Sequence, residues 1–118
     1  PPVELFGAEP EHSWCYVYQK AELARQQGLW DEVIALGEQA AQQDLSPANP
    51  YEMLPFIEAR ARRGNWQAAV AQTTTAWEAN PDLAPRLCLA WEKYQDGATL
   101  ADEERQAVNG LLESMACP

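Results

Sequence analysis

Apolar residues recur along this chain in steps of three and four, the spacing that gathers them on one face of a helix. Pro10 can open a first helix, because a proline at the first helical position loses only an amide that would be unpaired anyway. Trp14, Val17, Ala21 and Ala24 then form its apolar stripe, and Gly28 ends it as a residue that tolerates left-handed backbone. A second helix from Trp30 carries Val33, Ile34, Gly37, Ala40 and Ala41 on one side and stops near Asp44, before Ser46-Pro47-Ala48-Asn49-Pro50. Its small residues predict a close approach by the helix packed against it. Asn49 as cap and Pro50 as first residue open a third helix running to Arg63, in which Pro55 forces a kink or a delayed start at Leu54. Gly64-Asn65 turns the chain, with Asn65 as the expected cap of a helix from Trp66 to Glu78. Asn80-Pro81-Asp82 is a further turn and cap. It leads to a helix from Leu83 to Gln95 with Leu87, Ala90, Trp91 and Tyr94 on its apolar side. After Gly97, Thr99 is the expected cap of a last helix with Asp102 and Glu103 near its start and Leu100, Ala107, Val108, Leu111, Leu112 and Met115 inside. No segment alternates with the period of a strand, so the chain reads as all-α.

The helices pair into a repeating unit. Gly28 and Gly64, Trp30 and Trp66, Ile34 and Val70, Ala40 and Ala76, and Glu22 and Glu58 are each separated by 36 residues. A helical hairpin with glycine at its turn, an aromatic residue two positions on, small residues and a closing proline resembles the tetratricopeptide repeat. Gly64, Trp66, Ala69, Ala76 and Pro81 carry the resemblance in the middle unit, and Ala21, Gly28, Trp30 and Ala40 in the first. The first unit departs from the pattern at Lys20 and Val33, and the third follows it only in its first helix, through Leu87, Trp91 and Tyr94. The resemblance covers most of residues 10–115. It implies an α-α superhelix of about three hairpins, near 10–44, 49–79 and 82–116, behind an N-terminal extension at 1–9. It also implies a non-catalytic protein–protein interaction module. Separately, Pro10-Glu11-His12-Ser13-Trp14-Cys15-Tyr16 with Leu54-Pro55-Phe56-Ile57-Glu58 is similar to soluble tails of bacterial polytopic membrane proteins of glycosyltransferase-like type. That similarity implies an accessory domain docking on its own parent chain.

Composition narrows the partners. The 118 residues hold 18 Asp and Glu against 8 Lys and Arg, a formal charge of −10 with the single histidine neutral. Such a chain fits one small domain and excludes nucleic acid and anionic membrane surfaces as partners, which need clustered cations. No apolar run approaches the ~20 residues of a membrane span. An opening of Pro1-Pro2 in place of methionine suggests a fragment or processed product, which leaves localisation undetermined. Three cysteines, Cys15, Cys88 and Cys117, are too few for a disulfide framework and lack zinc-ligand spacing; any one disulfide leaves a thiol over.

In tetratricopeptide arrays the first helices of successive hairpins line a concave face, so the resemblance implies a binding surface there. The corresponding stripe holds Cys15, Tyr18, Glu22, Arg25 and Gln26, then Tyr51, Leu54, Glu58 and Arg62, then Cys88, Glu92 and Gln95. Glu22, Glu58 and Glu92 fall in near-matching places, an acidic ladder beside Tyr18 and Tyr51 that favours a cationic or amide-rich peptide. An alternative pairs Glu22 with Arg25 or Gln26 and Glu58 with Arg62, one helical turn on. Likewise Arg60, Arg62 and Arg63 form either an anion site or the ordinary positive finish of a helix. Catalytic chemistry finds little support. His12 and Cys15 share a helical face but have no third orienting group, no metal or cofactor set is evident, and Gly28, Gly64 and Gly97 are isolated turn residues.

Overall fold

The computed structural model describes residues 13–118, so the expected start at Pro10 and the lone His12 lie outside the described residues. Six α-helices follow one another: α1 (Trp14–Gln26), α2 (Trp30–Gln42), α3 (Leu54–Arg62), α4 (Trp66–Ala79), α5 (Ala84–Gln95) and α6 (Asp102–Ser114). Short 3-10 turns at Pro50–Met53 and Pro81–Leu83 lead into α3 and α5. There is no strand among the described residues, and the helices form three consecutive hairpins of an all-α superhelix.

Local chemistry sets the helix ends. Ser13 caps α1, accepting the Tyr16 amide at 3.1 Å, and Asn49 and Asn80 accept the amides of Tyr51 and Asp82 at 3.0 and 3.2 Å. Pro55 neither kinks nor breaks a long helix. The chain instead makes the 3-10 turn first, and α3 starts at Leu54 with the proline in its opening turn. Gly28 and Gly64 adopt φ of 73° and 78°, and this left-handed step lets the following amides, Leu29 and Asn65, bond back to Ala24 and Arg60 at 2.9 and 2.8 Å.

Two expected caps are corrected. Asn65 makes no side-chain cap, because its backbone is committed to closing the preceding turn and has φ −90°, ψ 68° rather than the extended conformation of a capping residue. Thr99 does not open the last helix either. That helix begins at Asp102, where Glu104 reaches back to accept the Ala101 amide at 2.8 Å.

Two apolar clusters fill the interior. Val17, Ala21 and Ala24 of α1, Val33 and Ala40 of α2, and Phe56 and Ala59 of α3 form the first. Ile57 and Ala61 of α3 join Trp66, Ala69 and Ala76 of α4, the α5 residues Leu87, Trp91 and Tyr94, and Val108 and Leu111 of α6 in the second. Trp66 and Trp91 pack at 6.1 Å between ring centres. The buried Trp91 indole donates to the Thr73 hydroxyl at 3.0 Å, and that hydroxyl donates to the Ala69 carbonyl at 2.8 Å. Gly37 lets α2 press on α3: a Cβ there would stand 2.9 Å from the Phe56 ring.

Past α6, Ala116 takes a left-handed φ of 58° and the Cys117 amide bonds to the Leu112 carbonyl at 2.9 Å. The turn brings Cys117 to Cys88 on α5, and the two form a disulfide, leaving Cys15 as the exposed free thiol. The cysteine spacing alone does not reveal this pairing, because it is the fold that brings the two residues together.

Three substitutions test this packing. Gly37→Ala forces its methyl against a packed ring and should lower unfolding free energy by ~1–3 kcal/mol. Gly110→Ala, in open space within α6, should raise it by ~0.5–1 kcal/mol. Urea denaturation of the two variants distinguishes the signs. Cys117→Ser should cost ~3–4 kcal/mol, the loop-closure value for cysteines 29 residues apart, and wild type under reductant should match it in the same assay.

Candidate functional site

The first helices of the three hairpins leave an open trough of about 900 Å³ between them. Tyr18, Glu22 and Arg25 line it from α1, Tyr51 from the turn before α3, and Leu54, Pro55, Glu58 and Arg62 from α3. Asp82, Pro85, Arg86, Leu89, Ala90, Lys93 and Tyr94 complete the far wall.

The structure brings six of the seven sequence-derived site residues, Tyr18, Glu22, Arg25, Tyr51, Glu58 and Arg62, to this one surface. Glu92 is not among them. It lies with Cys88 and Gln95 at a second, more apolar depression of about 540 Å³ beside Leu112, Met115 and the disulfide. The reason is a change of register. From the first hairpin to the second the offset is 36, as Tyr18 to Leu54 and Glu22 to Glu58 show. From the second to the third it is 31, so that Tyr51, Leu54, Pro55, Glu58 and Arg62 correspond to Asp82, Pro85, Arg86, Leu89 and Lys93. Residues 43–49 separate α2 from the second hairpin, whereas Asn80 alone separates α4 from the third. The third rung of the carboxylate ladder is therefore Leu89, a leucine with 63% of its surface exposed.

The two remaining carboxylates are already occupied. Arg25 binds Glu22 at 3.0 Å within α1 and reaches Glu58 on α3 at 3.8 Å, and Arg62 binds Glu58 at 3.1 Å. The hydrogen bond to Glu22 raises the pKa of Arg25, outweighing the cost of its burial. Arg62 also lies 5.9 Å from the ring centres of both Trp30 and Tyr94, which fixes it as a stacked cation. Burial, followed by the charge of Glu58, drives the Tyr94 phenol far above its ordinary value; burial and then Glu22 raise Tyr18. Both tyrosines are thus neutral hydroxyls at any physiological pH. The pairing alternative describes the floor of the trough, and the cross-helix contact of Arg25 with Glu58 makes it a bridge between the first two hairpins.

The far wall carries a different charge. Arg86 donates to the Tyr51 hydroxyl at 2.6 Å and sits 4.6 Å above the centre of that ring. Neither Arg86 nor Lys93 has a carboxylate partner among the described residues. The trough collects four of the chain's 8 Lys and Arg and only three of its 18 Asp and Glu. An acidic groove is therefore not what the fold builds: the lining is mixed on its floor and cationic along α5. Arg86, Leu89 and Lys93 were not among the expected site residues, although Asn49-Pro50 and Asn80-Pro81 carry the 31-residue spacing.

The other arginines of the basic cluster are structural. Arg60 pairs with Glu38 at 3.4 Å and Arg63 with Asp31 at 2.9 Å, tying the end of α3 to α2. Among the described residues, no group of three His, Cys, Asp or Glu side chains is placed to hold a metal ion, and no helix is long and apolar enough to cross a membrane. No family model, curated protein or solved structure is significantly similar to this chain.

Glu58→Gln should loosen both arginines and weaken the ion-pair bridge between the first two hairpins. The expected loss is about 1 kcal/mol in urea unfolding at low ionic strength, most of it gone at 1 M salt, where screening has already weakened the wild-type pairs.

Proposed function

We propose that this chain is a non-catalytic interaction domain of tetratricopeptide-like kind, and that its trough takes a peptide or protein segment lying across α1, α3 and α5. The observation that supports this reading is the state of the trough's polar groups. Its floor is pre-paired and stacked, so a ligand need not neutralise it, while Tyr51, Leu54 and Leu89 offer aromatic and aliphatic surface above. Rigid, pre-satisfied surfaces with exposed large side chains favour binding because little ordering entropy remains to be lost. The free charge that a partner meets is Arg86 and Lys93 with Asp82 at the edge, which replaces a cationic peptide by one carrying carboxylates beside apolar groups.

Peptides selected on the chain from a random display library test the proposal. Tyr51→Ala and Leu89→Ser should each weaken their binding tenfold or more, a change of at least ~1.4 kcal/mol. Leu23→Ser, at an exposed leucine outside the trough, should leave the affinity within twofold. Binding that is indifferent to Tyr51 and Leu89 would remove the trough as the site.

A further inference from the structure

Five of the described residues take left-handed backbone, each just past the end of a helix. Three are glycines, and Asp44 is of a residue type whose short polar side chain eases that conformation. Ala116, at φ 58°, has neither advantage, because its Cβ crowds the following carbonyl oxygen. The turn it makes closes through the amides of Ala116 and Cys117, which donate to the carbonyls of Glu113 and Leu112 at 3.0 and 2.9 Å. The very next residue, Cys117, is bonded to Cys88. The most strained helix ending among the described residues is thus the one that a covalent bond holds in place.

That bond lies on the back of the trough's far wall. α6 packs on α4 and α5 packs on α3, so the disulfide is the covalent tie between α5 and the end of α6. Cys88 and Cys117 are both half-buried and line the depression of about 540 Å³, which leaves the bridge open to a reagent from solvent. Pro85 and Leu89, on either side of Cys88 along α5, line this depression and the trough alike. One stretch of helix therefore serves both.

We infer that the strained turn at Ala116 and the Cys88–Cys117 bridge together form a redox latch on the far wall of the trough, opened by a dithiol. A thiolate of the reductant attacks one sulfur, the electron pair of the S–S bond leaves on the other, and a mixed disulfide forms. The second thiol of the reductant then displaces the protein sulfur. The reductant ends as its own disulfide, and Cys88 and Cys117 end as thiols carrying the two protons it gave up. With the bridge gone, the crowding at Ala116 is opposed only by hydrogen bonds that water can replace. Residues 116–118 then leave α5, while Val108 and Leu111 keep α6 in the core. The α5 wall has lost its tie on the side of the depression, so a ligand on Leu89 must order it on binding and binds more weakly. This control of affinity rests on the binding role proposed above; the opening of the turn does not.

The test compares the oxidised full chain with the same chain in excess dithiothreitol, followed by amide hydrogen exchange and NMR. Reduction should speed exchange of the Cys117 amide about tenfold or more and shift the Leu89 signal, with α2 unchanged. Ala116→Gly removes the crowding, so its reduced form should exchange at Cys117 roughly tenfold more slowly than reduced wild type. Library-selected peptides should bind the reduced wild-type chain at least about fivefold more weakly than the oxidised one. Cys117 exchange that ignores reduction, or that Ala116→Gly does not slow, would overturn the latch. Collapse of the α2 signals together with those of α5 would also overturn it, by making the bridge a staple of the whole fold. Equal peptide affinity in both redox states would refute the control of the trough and leave the interaction role standing. If no peptide binds even the oxidised chain, that role falls, and the exchange rates alone decide the latch.

Discussion

The fold depends on one short helix being buried on two sides. α3 spends Phe56 and Ala59 on the cluster it shares with α1 and α2, and Ile57 and Ala61 on the cluster it shares with α4, α5 and α6. Pro55 is buried as well, so a helix of nine residues keeps only a narrow stripe for solvent. Glu58 and Arg62 occupy that stripe, one turn apart, and it forms the middle of the trough. The packing constraint thus decides which side chains are available for binding: α3 has no other face to offer. Gly37 is the counterpart on α2, the place where absence of a side chain admits the Phe56 ring.

A buried polar chain complements this apolar arrangement. Trp91 is fully buried, and an indole N–H without a partner there would cost ~1–3 kcal/mol. Thr73 answers it from α4 and donates its own hydrogen bond to the Ala69 carbonyl, so a single hydroxyl satisfies α5 without leaving a donor unused. Because Trp91 also packs against Trp66 and Tyr94, the bond orients the aromatic group that supports the far wall of the trough. Behind that wall the disulfide ties α5 to the end of the chain after α6.

Much of this was legible from local signals. Isolated glycines at 28, 64 and 97 marked turns because left-handed backbone is costly for other residues, and all three have φ between 73° and 78°. Asn49 and Asn80 announced helix starts for an equally local reason. Long-range relations were harder to read. The Cys88–Cys117 bridge depends on α6 packing back on α4 and on a left-handed alanine, neither of which leaves a motif. The position of Glu92 depends on how many residues connect the second and third hairpins, and its near-match to Glu58, 34 residues on, does not carry that information. Within the trough, the residues of α1 and α3 were recoverable at an offset of 36, whereas those of α5 required 31.

That loss of five residues between the second and third hairpins has a consequence for direction. A strictly periodic superhelix presents the same chemistry at each step, and a chain laid along it could slide by one repeat or lie reversed at little cost. Here the places of Glu22 and Glu58 pass to Leu89, and the place of Arg62 passes to Lys93. The two ends of the surface are chemically unlike, one closed by internal ion pairs and the other apolar and cationic. Such a surface has polarity in the sense of a track, with one register and one orientation distinguished from all others by the shortened connection at Asn80.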